Sequence, residues 1–364
     1  MKKINYIFIV LILLAINIGA GPGASLAASN HAAAALLNDM GPFYPIDSTT
    51  SVAASAKGVF LIDLSRDGAI KQLGQGQALD VQTLTNPGKV ILLTAGTGNT
   101  LEKHVYNADG QELGTTRYPI HAPTGGKVKW AAPAAKVNER IMVQEGNQFT
   151  LYSNTGKPVV KYDAEIKPKS SYEFVNIVDW DFSAYPYLAI KYEGQRIMAE
   201  DFFVHIVNLY SKSVTKAPML EIDQQLQINS LGQLHVWNSY SYEEIMPPNA
   251  TQPDPGAAQS FYSLFSLSTG KKLADHQRVF TRVDGGAELG GWNTQLAGDT
   301  VFVQDLATEQ WSLFPANGQK AIAADLTGVA KGARFLGFDR TTGTVYFLTQ
   351  AEGEELQVSK VKIN

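Results

Sequence analysis

Alternation of apolar and polar residues, cut at short intervals by turns, is the dominant pattern of the chain. It is clearest at 261–275, FYSLFSLSTGKKLAD, where Phe261, Ser263, Phe265 and Leu267 alternate with Tyr262, Leu264 and Ser266. A Ser-Thr-Gly turn at Ser268–Gly270 follows, and the chain resumes at Lys271–Ala274. A period of two, a glycine turn and a second run predict a β-hairpin. Six further stretches have the same form, with turns at Asp67-Gly68, Asp109-Gly110, Thr155-Gly156, Ser211-Lys212, Asn317-Gly318 and Glu352-Gly353. Glycine suits such turns because it takes positive φ at no steric cost.

From Gly68 onward the turn markers advance by 42, 46, 56, 58, 48 and 35 residues. A repeat of roughly 40–50 residues with four strands per unit is the pattern of propeller blades. The other strands of each unit stand ahead of the hairpins. They are 78–86 and 88–95 before the second, KVKWAAPAA and ERIMVQE before the third, and YEFVNIVDW and PYLAIKY before the fourth. AIAADLTG and ARFLGFD precede the seventh. The expected fold is all-β, a single seven-bladed β-propeller over 46–364, preceded by an extension over 28–45. Residues 41–58 match two strands poorly, which keeps open six blades with an N-terminal extension. A pair of β-sandwiches is the remaining arrangement.

Two stretches interrupt the rhythm. Ser241–Gln259 carries four prolines and reads as a long loop between two strands of blade five. Gly194–Asp201 reads as a shorter insertion in blade four. Loops of this kind on a rigid scaffold are common places for function.

The segment Leu267-Ser268-Thr269-Gly270-Lys271-Lys272-Leu273 resembles the repeat of pyrroloquinoline-quinone-type (PQQ-like) propellers, and is similar to the outer hairpin of tryptophan–aspartate repeat proteins. Asn154-Thr155-Gly156-Lys157 and Thr341-Thr342-Gly343-Thr344 echo it. The resemblance implies a propeller built of four-stranded blades. The tryptophan that quinone-type blades carry soon after this segment is replaced by Ala274, so no quinone or other cofactor is expected.

The N-terminus adds a compartment. Lys2 and Lys3 precede an apolar run from Ile7 to Ile18, and Ser25-Leu26-Ala27 offers small residues for cleavage after Ala27. Residues 1–27 therefore read as a secretory signal peptide, with an uncleaved anchor as the alternative. The apolar run is short of the about 20 residues of a comfortable span. A secreted, extracellular or cell-envelope protein of bacterial type is expected. With no cysteine in the chain, a lipid anchor on sulfur is excluded, and a hydrophobic core rather than disulfides must hold the fold. Net charge is −4 and spread along the chain, which argues against nucleic acid as a partner.

Candidate chemistry concentrates in blades four to six, with Trp130 in a comparable place in blade three. Asp179, Trp180 and Asp181 fall on or just after the first, channel-side strand of blade four, with Tyr185 and Tyr187 close behind. Trp237, Tyr240 and Tyr242 lead into Glu243-Glu244, and Trp292 opens blade six. Flat aromatic faces beside carboxylates suit sugar rings, and paired carboxylates about 5 to 9 Å apart can act on a glycosidic bond. The same tryptophans also fit packing between blades; in that case a protein-contact surface is left.

Asp63-x-Ser65-x-Asp67-Gly68 has the spacing of half a calcium loop, but position twelve is Gly74 where a bidentate glutamate belongs. An ordinary hairpin turn accounts for it. His205 and His235 lie on neighbouring blades without a third ligand, and no metal is assigned.

The function expected is an exported, non-catalytic binding or scaffolding propeller, monomeric, engaging a protein or glycan partner. Asp179, Trp180, Asp181, Trp237, Tyr240, Tyr242 and Trp292 are its expected ligand contacts, with no catalytic residues assigned. The alternative is a polysaccharide-acting glycoside hydrolase or lyase using rim carboxylates.

Overall fold

The structure, a computed structural model, describes residues 43–363 apart from connecting segments, the longest of which are 165–171, 217–223, 239–257, 280–291 and 351–356. The leader at 1–27, most of the extension at 28–45, Tyr240, Tyr242, the Asp67-Gly68 turn and nearly all of the 241–259 loop lie outside the described residues.

Among the described residues seven antiparallel sheets stand in a ring, six of four strands and one of three. In every sheet the strands follow chain order from the axis outward. The inner strands are Phe43–Pro45, Asp80–Thr85, Lys127–Ala131, Phe174–Ala184, Gln224–Ile228, Trp292–Ala297 and Arg334–Asp339. The inner strand of blade seven meets that of blade one and closes the ring. No helix among the described residues is long and apolar enough to cross a membrane.

Alternation along the strands explains the packing. Each blade turns one apolar face to each neighbour, and each of the seven interfaces holds its own buried cluster. Between blades three and four, Phe149 and Leu151 meet Trp180, Phe182 and Ile190. At the closure, Phe43, Phe60 and Ile62 of blade one meet Leu336, Tyr346 and Leu348 of blade seven. The Arg334 guanidinium lies 5.4 Å over the Phe43 ring at the same seam. Among the described residues no strand of one blade joins the sheet of another, so side-chain packing closes the ring.

Blade one is complete, which decides for seven blades over six. Phe43–Pro45 and Thr50–Ser55 supply the two strands that 41–58 only weakly suggest, and the propeller begins at Phe43 rather than at 46. The hairpin of the opening pattern joins the third and outermost strands of blade five. Gly270 turns it at φ 66°, and a Cβ there would meet Thr215 Cγ2 of blade four at 2.0 Å, so both conformation and space demand glycine.

Two local expectations are corrected. Gly194–Asp201 is no insertion: the second and third strands of blade four run on, pairing Gly194 with Asp201 and Arg196 with Ala199. In blade seven, Thr344–Thr349 and Gln357–Lys362 are the second and third strands rather than the outer pair, and Arg334–Asp339 is the inner strand. Ile322–Ala323, assigned from sequence to blade seven, is the outermost strand of blade six. This shift of one strand accounts for the final spacing of 35 residues.

Candidate ligand-binding site on the propeller axis

The inner strands converge as they leave the axis for their second strands. There they enclose a cavity of about 740 Å³ to which all seven blades contribute wall residues. Half-buried aromatic rings come from Tyr44 in blade one, Tyr185 and Tyr187 in blade four, and Phe338 in blade seven. Polar groups come from Gln82, Thr83, Ser183, Asn229 and His235, and carboxylates from Asp47 and Asp299. Among the described residues neither lysine nor arginine lines the wall. Asp47 Oδ1 accepts the N–H and hydroxyl of Thr49 at 2.8 and 3.0 Å, and Asp299 pairs with Arg340 at 3.2 Å.

Beneath this cavity the inner strands are clasped in pairs. Asp80 of blade two accepts the backbone N–H of Trp130 in blade three at 2.7 Å. Asp181 of blade four accepts that of Ile228 in blade five at 2.6 Å. Gln295 of blade six accepts that of Phe335 in blade seven at 3.0 Å and donates to Ala333. A carboxylate or amide on one inner strand thus satisfies a backbone donor on the next, as a buried N–H requires.

Lys129 lies beside this tier, 3.3 Å from Asp80. Burial works against its ammonium, but Asp80 and Asp181 outweigh burial and its pKa stands above the usual lysine value. The same burial pushes the Asp80 carboxyl up, opposed by Lys129 and the Trp130 N–H. Lys127 pairs with Asp179 at 3.4 Å.

On the blade-five wall, Asn229 Nδ2 donates to His235 Nε2 at 2.9 Å. The Gln233 N–H on Asn229 Oδ1 identifies the two ends of that amide, so His235 Nε2 is the accepting nitrogen. His235 Nδ1–H then donates to Tyr262 Oη at 2.9 Å. Burial pushes the His235 pKa down to about 4 and keeps the ring neutral. Tyr262 stacks on His276, whose Nε2–H donates to Pro315.

The residues singled out in the sequence divide sharply. Trp180 is 2% exposed, edge-on to Phe149 at 5.3 Å, with Nε1 donating to Gln144. Trp237 is 8% exposed and packs in the interface of blades five and six. Neither indole offers a face to a ligand, because each fills the gap between two blades. Trp292 heads the inner strand of blade six, and its side chain lies outside the described residues. Asp181 spends one oxygen on the Phe182 N–H and the Ser183 hydroxyl and the other on Ile228, so it is a structural carboxylate. Asp179 is partly exposed but does not line the cavity.

Trp130 touches the cavity wall but donates Nε1–H to Glu139 at 3.0 Å. Lys103 pairs with Glu139 and Tyr118 donates to it at 2.7 Å. Burial works to raise the Glu139 pKa, but these partners outweigh burial and hold it low. His205 packs on Tyr192 and Phe203 within blade four. Asp63 Oδ1 caps the Ser65 N–H at 2.9 Å, as an ordinary turn does. Among the described residues no three His, Asp or Glu side chains are grouped to hold a metal.

Tyr185 and Tyr187 were legible beside the Asp179–Asp181 cluster. Tyr44, Gln82, Asn229, Asp47, Asp299 and Phe338 were not. The signal that finds most of them is positional: Asp47, Asn229 and Asp299 stand just past the end of an inner strand and Phe338 one residue before it, while Tyr44 and Gln82 lie within theirs.

No family model matches the chain, and no curated protein matches it. Solved structures do match along most of its length. The β-propeller domain of the Trilobed protease from Pyrococcus furiosus is 9% identical, covering 88% of this chain and 94% of that one at a TM-score of 0.45. The AfRom2 CNH domain is 12% identical, covering 90% and 95% at 0.41. Kluyveromyces lactis Hsv2 is 8% identical, covering 90% and 98% at 0.41. At such identities no function passes from these proteins to this one; the seven-bladed propeller rests on the chain's own strand order.

Proposed function

We propose that the protein is a non-catalytic binding propeller that takes a glycan in its axial cavity. One observation carries this reading: a cavity of about 740 Å³ walled by all seven blades and faced with the half-buried rings of Tyr44, Tyr185, Tyr187 and Phe338. Its volume falls within the roughly 300–1,000 Å³ of small-ligand sites. Rings at its wall offer flat surfaces to the C–H faces of sugars. Asp181, one of the rim carboxylates on which a hydrolase or lyase would draw, is committed to backbone donors and the Ser183 hydroxyl, which favours binding over catalysis. Binding of the full-length protein to a glycan array tests the reading, with Tyr185→Ala expected to lose at least tenfold in affinity. A blank array overturns it.

A second reading rests on the rim of the ring. Ile70, Leu113, Val159, Val214 and Leu273 are exposed. Each is the second residue of the outermost strand of its blade, one through five. This apolar girdle favours a protein partner on the circumference. Val214→Asp would then abolish a pull-down that Tyr185→Ala leaves intact.

Export is part of the proposal, on the strength of the leader at 1–27. N-terminal sequencing of protein from culture medium should begin at Ala28.

A further inference from the structure

Resting on the glycan reading, we infer that the axial cavity selects a glycan carrying free amino groups, bound as ammonium. The argument is an inventory of hydrogen-bond donors. Gln82 turns its Nε2 to Asp80, at 3.4 and 3.3 Å from the two oxygens, which leaves the carbonyl end of the amide uncommitted to that tier. Ser183 donates its hydroxyl hydrogen to Asp181 at 2.8 Å and keeps oxygen lone pairs. Asn229 spends both Nδ2 hydrogens, on Gln233 and His235, at 2.9 Å each. His235 passes its one N–H to Tyr262. These four side chains therefore present mainly acceptors to the cavity, with Thr83 and Gln227 adding groups of both kinds; at the edge stand the Asp47 carboxylate and Asp299, which Arg340 pairs, and among the described residues no lysine or arginine lines the wall.

A ligand matching such a wall must bring the donors. An ammonium brings three and no acceptor, and its charge is favoured over the faces of Tyr187 and Phe338, whereas the Tyr185 ring already has the Arg140 guanidinium 5.9 Å from its centroid. An N-acetylated sugar offers one amide N–H, no charge, and a carbonyl that finds few donors. A lone lysine side chain has the same head group but fills little of about 740 Å³, whereas several linked sugar rings fill it. The clasp tier is what biases the wall: Asp80 and Asp181 hold Gln82 and Ser183 with their donors turned away from the cavity.

The test is isothermal titration of the full-length protein with the glucosamine tetramer, the N-acetylglucosamine tetramer and a lysine-containing peptide. The glucosamine tetramer should bind at least tenfold more tightly than the acetylated one. The double variant Asp47→Asn/Asp299→Asn, checked for folding by circular dichroism, should lose at least fivefold for the amino tetramer and change little for the acetylated one. Equal binding of both tetramers overturns the ammonium inference and leaves the glycan reading standing. Binding of neither overturns both. Binding of the peptide alone overturns both in favour of a protein segment. An unchanged double variant overturns the inference even if the amino tetramer binds.

Discussion

Asp181 in blade four accepts the backbone N–H of Ile228 in blade five at 2.6 Å, while its other oxygen accepts the Phe182 N–H and the Ser183 hydroxyl. One carboxylate thus joins two blades and fixes a side chain of the cavity wall. Asp181→Asn has only one accepting oxygen, so it leaves a buried donor facing an NH₂ group. A loss of about 1–3 kcal/mol is expected, read as a lower urea midpoint. An unchanged midpoint would mean that the clasp contributes nothing to the ring.

Trp180 fills the interface of blades three and four. Trp180→Ala should destabilise the protein by about 3–5 kcal/mol, the range for emptying a buried aromatic site. Trp180→Phe should restore most of the stability. Glycan affinity of the folded Trp180→Phe protein should equal that of the wild type; a tenfold loss would return this indole to the ligand.

His235 is held neutral by burial, with its pKa lowered to about 4 against the ordinary 6.5. The unfolded chain therefore binds a proton at higher pH than the folded one does. Stability attributable to this residue is fully present above about pH 6.5 and is lost as pH falls toward 4, by about 3 kcal/mol at most. His235→Gln should flatten the pH dependence of the denaturation midpoint between pH 6.5 and 4 relative to wild type. Parallel profiles would show that His235 does not titrate in this way.

Lys212 turns the outer hairpin of blade four at φ 58°, where blades two, three and five place glycine at φ 70°, 76° and 66°. Lys212→Gly removes the steric cost of that conformation, offset in part by the greater chain entropy of glycine. A net gain of about 0.5–1 kcal/mol is expected, checked by thermal melting. A lower Tm would show that the Lys212 side chain matters more than its backbone.

The hairpins, their turns and the count of seven were legible because a period of two and a glycine at positive φ are local properties. Phe261–Ala274 could be read as a hairpin without knowing what lay beside it. Blade one was harder: Thr50–Ser55 is TSVAAS, too small and too short to alternate visibly, and only pairing with Gly58–Asp63 makes it a strand. Blade seven was misread by one strand because a hairpin does not carry its distance from the axis.

Function was the less legible part for the same reason. The order of residues along the chain determined that Asp179, Trp180 and Asp181 stand together on one strand. It did not determine which face of Trp180 or Trp237 would be covered, since burial depends on the neighbouring blade. The cavity is decided entirely by ring closure. Tyr44, Gln82, Ser183, Asn229 and Phe338 are far apart in the chain and meet only because seven strands end around one axis. Local periodicity encodes the blade; the site exists only where blades converge.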